Sequence, residues 1–150
     1  MLLPDDLIIK KNCSKSMIAV HQKFKASVMA SMVVNKSDVS RWGIYNIKKK
    51  IDKNNFIINN VVEKPSIKTS PSNNAVIGRY ILPKTIFSKL KSLKPGKGGE
   101  FHITDAIQAL IEDDHQFIGH NFSGKYLDCG TMKGYIKSTL EISKQWNFAW

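Results

Sequence analysis

The sequence predicts an α/β fold within a single domain, residues 1–150. Segments rich in β-branched and aromatic residues alternate with segments whose apolar residues recur at helical spacing, a pattern typical of α/β proteins. The length is that of one ordinary domain. With 42% hydrophobic and 23% charged residues, the composition is globular, which excludes disorder along the whole chain.

Apolar runs bounded by turn residues predict the strands. The first ten residues predict a buried strand that ends at the carboxylates of Asp5 and Asp6. A charged run from Lys48 to Asn55 predicts a solvated hairpin tip between two strands. The other predicted strands are, in chain order, 27–34, 42–47, 56–62, 75–82, 116–122 and 126–128.

Helices are predicted where apolar residues recur every three or four positions. One spans 14–25, a short one runs from Pro83 to about Leu93, and the last runs from Thr131 to about Trp146. A further helix is predicted to start at Thr104 as its cap, with Asp105 in its first turn. The loop 94–99 is too rich in glycine for either element, and it matches no known phosphate-binding fingerprint.

The charge is strongly positive, at +11. Twenty-one of the basic residues are lysines and only two, Arg41 and Arg79, are arginines. Because nucleic-acid readers use arginine as well as lysine, a nucleic-acid surface is the less favoured explanation. A basic pocket for a phosphate-bearing small molecule accounts for the charge equally well.

The two cysteines, Cys13 and Cys129, are far apart and support neither a disulfide framework nor a cysteine zinc site. Cysteine usage fits a reducing compartment, so we expect a cytoplasmic protein. No apolar run reaches the roughly 20 residues of a membrane helix, so no membrane association is expected.

Two carboxylate features predict a metal site. Because adjacent strand residues face opposite sides, only one of Asp5 and Asp6 can face a given ion, while the other caps a turn. One of them together with Asp128 would suit Mg²⁺, which prefers oxygen ligands and retains waters and substrate phosphates. The alternative is ordinary turn chemistry at Asp5 and Asp6.

A third carboxylate feature, Glu63-Lys64-Pro65, closes an apolar strand. Glu63 could accept hydrogen bonds from sugar hydroxyls, and Lys64 could bind a phosphate. Pro65 favours an extended backbone at Lys64. Gly43, inside a strand, could mark a close approach of ligand to backbone. The alternatives are an exposed charged strand end and a packing glycine beside Trp42.

The order of these motifs carries a resemblance. The motifs are Leu3-Pro4-Asp5-Asp6, Asp38-Val39-Ser40-Arg41-Trp42-Gly43-Ile44, Val62-Glu63-Lys64-Pro65, the segment from Pro71 to Leu82, the segment from Pro95 to Ala106, and Tyr126-Leu127-Asp128-Cys129-Gly130. In order and spacing, from about residue 1 to about 145, the chain resembles the bacterial UTP–glucose-1-phosphate uridylyltransferases, which are sugar nucleotidyltransferases.

The resemblance implies a Rossmann-like fold, a mixed sheet with flanking helices. It implies an enzyme that converts UTP and glucose 1-phosphate into UDP-glucose and pyrophosphate with Mg²⁺. It also implies that Asp5 and Asp128 are the Mg²⁺ ligands, that Gly43 presents its backbone to the sugar, that Glu63 binds glucose hydroxyls, and that Lys64 is the catalytic residue that holds the sugar phosphate.

The chain departs from the family in one respect. Members carry an earlier half with a glycine-rich Gly-Thr-Arg loop that cradles the triphosphate, and nothing here matches it. We therefore expect a C-terminal portion only, truncated relative to the family. Three alternatives follow: a partner of a separate N-terminal half, a remnant without activity alone, or a subunit or binding fragment. The family implies dimers or tetramers.

Overall fold

The computed structural model describes residues 1–95, 99 and 101–146, in seven strands and four α-helices. The strands are β1 (Asp6–Ile9), β2 (Ser27–Val33), β3 (Gly43–Lys50), β4 (Asn55–Glu63), β5 (Asn74–Ile81), β6 (Phe117–Asn121) and β7 (Lys125–Asp128). The helices are α1 (Cys13–Phe24), α2 (Ile86–Ser92), α3 (Ile103–Glu112) and α4 (Met132–Gln145). A 3-10 helix at Lys36–Arg41 leads into β3.

Five strands form the central sheet. They pair in the order β2-β5-β3-β4-β6, and β6 returns to β2, so that the pairing closes on itself. The β2–β6 pair is parallel and the others are antiparallel, which makes the sheet mixed, as predicted. β1 and β7 form a separate antiparallel ribbon in which Asp6 lies opposite Asp128.

Alternation along β2 produces a core on both sides of the strand. Val28 and Ala30 pack with Met17 of α1. Met29, between them, packs with Ile107 and Leu110 of α3. Because neighbouring strand residues face opposite sides, the helices cover opposite faces of the sheet, which is the α/β arrangement that the sequence predicts.

Two local predictions are wrong. β1 begins at Asp6 instead of ending there. The preceding residues run beside β5, where the Leu3 amide donates to the Gly78 carbonyl at 2.8 Å. Thr104 does not cap α3, because the helix already begins at Ile103 with His102 at the N-cap position.

The hairpin and most other elements agree with the sequence to within a few residues. The tip between β3 and β4 is closed by Asp52, whose carboxylate accepts from the amides of Asn54 and Asn55 at 2.9 Å each. In the loop predicted at 94–99, Gly96, Lys97 and Gly98 lie outside the described residues. Within the described part of the chain, no helix has the length and apolarity needed to cross a membrane.

Candidate active site

Asp5 and Asp128 lie together although they are far apart in sequence. The Cys129 amide donates to the Asp5 carbonyl at 2.8 Å, which ties the residue before β1 to the end of β7. A Cβ on Gly130 would lie 2.8 Å from Oδ2 of Asp5 and 3.5 Å from Oδ1 of Asp128. The two carboxylates therefore flank a space that is open because residue 130 is glycine.

Asp6 has different surroundings. Its Oδ2 accepts from the Gly78 amide at 2.6 Å, and its Oδ1 accepts from the Tyr126 hydroxyl. Burial, and then this hydrogen bond to Asp6, raise the pKa of Tyr126. Asp6 thus holds β1 against β5 and β7, and Asp5 is the carboxylate that remains for the site.

These residues fit a magnesium ion in part. Two carboxylates meet at Gly130, and the donor set is all oxygen, which Mg²⁺ prefers. Among the described residues, no group of three or more acidic, histidine or cysteine side chains could hold a metal. An ion held by Asp5 and Asp128 would complete its shell with water and substrate phosphate oxygens.

Arg41 is a site residue to which the sequence assigned no role. Its guanidinium lies 3.9 Å from Oδ2 of Asp128 and 5.8 Å from the ring of Trp42. Trp42 in turn packs edge-on against Tyr126, at 5.5 Å between ring centroids. The adjacency of an arginine and an aromatic residue before β3 was the available signal, but its partner Asp128 is visible only in three dimensions.

Gly43, Glu63 and Lys64 meet at the neighbouring ends of β3 and β4. Gly43 lies opposite Glu63, and a Cβ on Gly43 would come within 3.1 Å of Oε2 of Glu63. Nζ of Lys64 lies 3.9 Å from Oε1 of Glu63, and the Lys64 side chain is 66% exposed. A carboxylate and an exposed ammonium group are thus presented next to a glycine backbone.

The backbone of Lys64 is not extended, contrary to the prediction from Pro65. Its φ is 43°, in the left-handed region that non-glycine residues rarely occupy. The Lys64 amide donates to the Trp42 carbonyl at 3.0 Å, which imposes the turn at the end of the β3–β4 ladder. Such a conformation costs of the order of 1 kcal/mol and persists where the surrounding structure holds it.

Arg79 has a supporting position. Its guanidinium donates to the Leu3 and Gly78 carbonyls at 3.0 Å each and to the Asp6 carbonyl. Arg79 therefore fastens residues 3–6 to β5. The sequence placed it in a motif without a role, and its function is to hold the segment that carries Asp5.

The chain is similar in sequence to curated uridylyltransferases. The chain is 37% identical over 140 residues to a putative UTP–glucose-1-phosphate uridylyltransferase of Methanocaldococcus jannaschii, covering 93% of this chain and 49% of that protein. It is 36% identical over 142 residues to the UTP–glucose-1-phosphate uridylyltransferase of Pseudomonas aeruginosa, covering 93% and 50%. The chain spans about half the length of these curated relatives.

Solved structures show the same fold. An apo UDP-glucose pyrophosphorylase superposes with a TM-score of 0.89 at 37% identity, covering 96% of this chain and 53% of that one. A UDP-glucose pyrophosphorylase complexed with UDP-glucose gives 0.87 at 37% identity, covering 96% and 55%. The nucleotidyl transferase family model matches residues 1–145. The chain belongs to the nucleotidyl transferase family.

Proposed function

We propose that this chain forms the sugar-phosphate and metal-binding part of a UTP–glucose-1-phosphate uridylyltransferase. The observation that carries the proposal is the meeting of Asp5 and Asp128 around Gly130. Trp42 connects this pair to the Glu63–Lys64 turn, because its carbonyl accepts from Lys64 and its ring contacts Tyr126. A protein of the same fold, solved with UDP-glucose, supports the choice of ligand.

The reaction would join two anions. An oxygen of the glucose 1-phosphate attacks the α-phosphorus of UTP, and pyrophosphate leaves from the opposite side. Lys64 would neutralise the attacking phosphate, and Glu63 with the Gly43 backbone would hold the glucose hydroxyls. Bound at Asp5 and Asp128, Mg²⁺ would offset charge on the phosphate oxygens. Positioning and charge neutralisation suffice, so no protein nucleophile is required.

The proposal extends to the part of the enzyme that residues 1–150 do not cover. Since this chain spans about half the length of its relatives, we infer that a further half of the enzyme, outside residues 1–150, binds the nucleotide. Several large apolar side chains are exposed, notably Leu2 at 63% and Tyr135 at 58%. Their exposure supports a further protein segment that packs against them. We propose a cytoplasmic protein whose partners are UTP, glucose 1-phosphate, UDP-glucose and that second half or further copies of this chain.

The test is a calorimetric titration of the chain with UDP-glucose in Mg²⁺, with Lys64→Ala beside it. We expect saturable binding that Lys64→Ala weakens by tenfold or more, because the phosphate attached to the sugar would lose the cation that neutralises it. Lys53→Ala, at the exposed hairpin tip, is the matched control and should bind as the parent does. Equal affinity of all three proteins would remove Lys64 from the site.

Turnover needs a second measurement. The chain would be mixed with the separately produced part of the Pseudomonas aeruginosa relative that this chain does not cover, and pyrophosphate release from UTP and glucose 1-phosphate would be followed. Activity that Lys64→Ala lowers by orders of magnitude supports the enzyme. Binding of UDP-glucose without turnover in the mixture would favour the alternative, a binding fragment without catalytic activity.

A further inference from the structure

A small cavity opens at the edge of the central sheet where β2 and β6 begin and β5 ends. Its volume is about 180 Å³, and His21 and His115 both line it. His21 lies in the last turn of α1, and His115 lies two residues before β6. Among the described residues that line the cavity, none belongs to the candidate active site, so the cavity is a separate feature of the molecule.

Backbone hydrogen bonds bring the two histidines to the start of β2. The Lys25 amide donates to the His21 carbonyl at 2.8 Å, and Lys25 has a left-handed backbone with a φ of 52°, which ends α1. Two residues later, the Ser27 amide donates to the Gln116 carbonyl at 3.1 Å. Because His115 directly precedes Gln116, the end of α1 and the approach to β6 are both fastened to β2.

The hydrogen bond of His21 determines which of its ring nitrogens is available. Nδ1 lies 2.8 Å from the Ala26 carbonyl oxygen. A carbonyl oxygen only accepts, so Nδ1 carries the proton, and in the neutral ring Nε2 holds the lone pair. Histidines that bind metals usually donate their other ring N–H to a carbonyl or carboxylate in this way, which orients the ring and raises its basicity. His21 therefore has the arrangement of a metal ligand.

We propose that His21 and His115 bind a divalent transition-metal ion, such as Zn²⁺, in this cavity. Imidazole nitrogen is a preferred ligand of Zn²⁺, Cu²⁺ and Ni²⁺, whereas Mg²⁺ prefers oxygen. Both histidines are exposed, so their rings are accessible to an ion from solvent. Water and the side-chain oxygens of Ser27 and Gln116, which line the same cavity, would complete the shell. The ion would join the end of α1 to the start of β6.

Lys25 distinguishes a cation from an anion in this cavity. Of the described residues in the lining, Lys25 alone carries a full charge when the histidines are neutral. Its ammonium group repels a metal ion and would attract an anion. Lys25→Ala should therefore strengthen the binding of Zn²⁺ by about two- to fivefold, whereas the same substitution would weaken the binding of phosphate.

The test is a calorimetric titration of the full chain with Zn²⁺ at neutral pH, in excess Mg²⁺ so that the Asp5–Asp128 pair is occupied. His21→Asn keeps an N–H near the position of Nδ1 and removes Nε2, and His115→Asn removes the second ligand. Each should weaken binding by about tenfold or more, because one imidazole alone would remain on the ion. Zn²⁺ should also raise the Tm of the parent and leave that of both variants nearly unchanged.

The matched control is His102→Asn, since His102 lies at the start of α3 and does not line the cavity. It should bind Zn²⁺ within about twofold of the parent. Circular dichroism spectra that match the parent's would show that the variants fold.

Several outcomes would overturn the proposal. They are no saturable Zn²⁺ binding by the parent, parent-like affinity in His21→Asn or His115→Asn, an equal loss in His102→Asn, and weaker Zn²⁺ binding in Lys25→Ala. A parallel titration with inorganic phosphate covers the alternative ligand. Phosphate binding that Lys25→Ala removes, without Zn²⁺ binding by the parent, would assign the cavity to an anion.

Discussion

The adjacent residues Asp5 and Asp6, at the start of β1, have different roles. Asp6 accepts two hydrogen bonds, from the Gly78 amide and the Tyr126 hydroxyl, and so joins three strands. Asp5 contributes its backbone carbonyl to Cys129 and leaves its carboxylate beside Gly130. At the scale of one residue, the alternation of side chains separates a structural carboxylate from a candidate metal ligand.

This separation predicts opposite effects of two neighbouring substitutions. Asp6→Ala should lower the free energy of unfolding by about 2 kcal/mol, because two partly buried donors lose their acceptor. Asp5→Ala should leave stability nearly unchanged and abolish metal binding at the site. Urea denaturation gives the first quantity, and Mn²⁺ binding followed by electron paramagnetic resonance gives the second.

The prediction is contradicted if both variants lose stability equally, or if Asp6→Ala retains the parent's unfolding midpoint. Retained Mn²⁺ binding in Asp5→Ala would remove Asp5 from the metal site while leaving the role of Asp6 intact.

At the scale of the element, α4 depends on its contact with the end of β7. Thr131 caps the helix, and its hydroxyl oxygen accepts from the Gly134 amide at 3.0 Å. The following turn places Gly134 against the Asp128 carbonyl and brings Ser138 into hydrogen-bond contact with it. The apolar residues of α4 contribute less, since Ile136 and Leu140 are about half exposed.

We therefore expect Gly134→Ala to destabilise the protein. Alanine is favoured over glycine inside a helix by about 1 kcal/mol. At this position the new methyl group would meet a backbone carbonyl at 2.4 Å, which cannot rotate away. The steric cost should exceed the propensity gain by about 1–3 kcal/mol, measured by urea denaturation.

Lys144→Ala, in the last turn of α4, is the control for helix propensity and should change stability by less than about 0.5 kcal/mol. A stabilised Gly134→Ala variant would mean that α4 is free to move away from the end of β7.

At the scale of the whole molecule, His120 connects elements that are distant in sequence. It lies on β6 and is 7% exposed. Its Nδ1 donates to Oδ1 of Asn55 on β4 at 2.8 Å, and its Nε2 lies 3.1 Å from the Ser16 hydroxyl on α1. Burial lowers the pKa of His120, and the charge of Asp52 opposes this only in part.

The sign of this shift predicts acid sensitivity. A lowered pKa in the folded state means that the unfolded chain takes up the proton first, as pH falls below the usual value near 6.5. The stabilisation is complete above that pH and is lost as pH falls through the folded pKa. Tm should therefore drop between pH 7 and 5.5, and His120→Gln should flatten that part of the profile. Parallel profiles for the two proteins would contradict the assignment.

Much of the fold was accessible from sequence patterns. The extents of α1, β2, β5 and β6 follow local periodicity closely, and Thr131 was placed correctly at the start of α4. The first strand was predicted too early in the chain, because the apolar residues before Asp5 resemble a strand. These residues lie beside β5, and the strand that pairs with β7 begins only at Asp6. The start of α3 was predicted too late, because threonine is a common N-cap residue and Thr104 was taken as the cap. The helix begins at Ile103, after His102.

The ordered motifs were sufficient to identify a nucleotidyl transferase, and periodicity located most of the helices and strands. Three features were visible only in the folded chain: Asp5 lies near Asp128 beside Gly130, Arg41 pairs with Asp128, and Lys64 has a left-handed backbone. The reason is physical. Periodicity and composition report local preferences, whereas these three features depend on contacts between residues brought together by the sheet and its flanking helices.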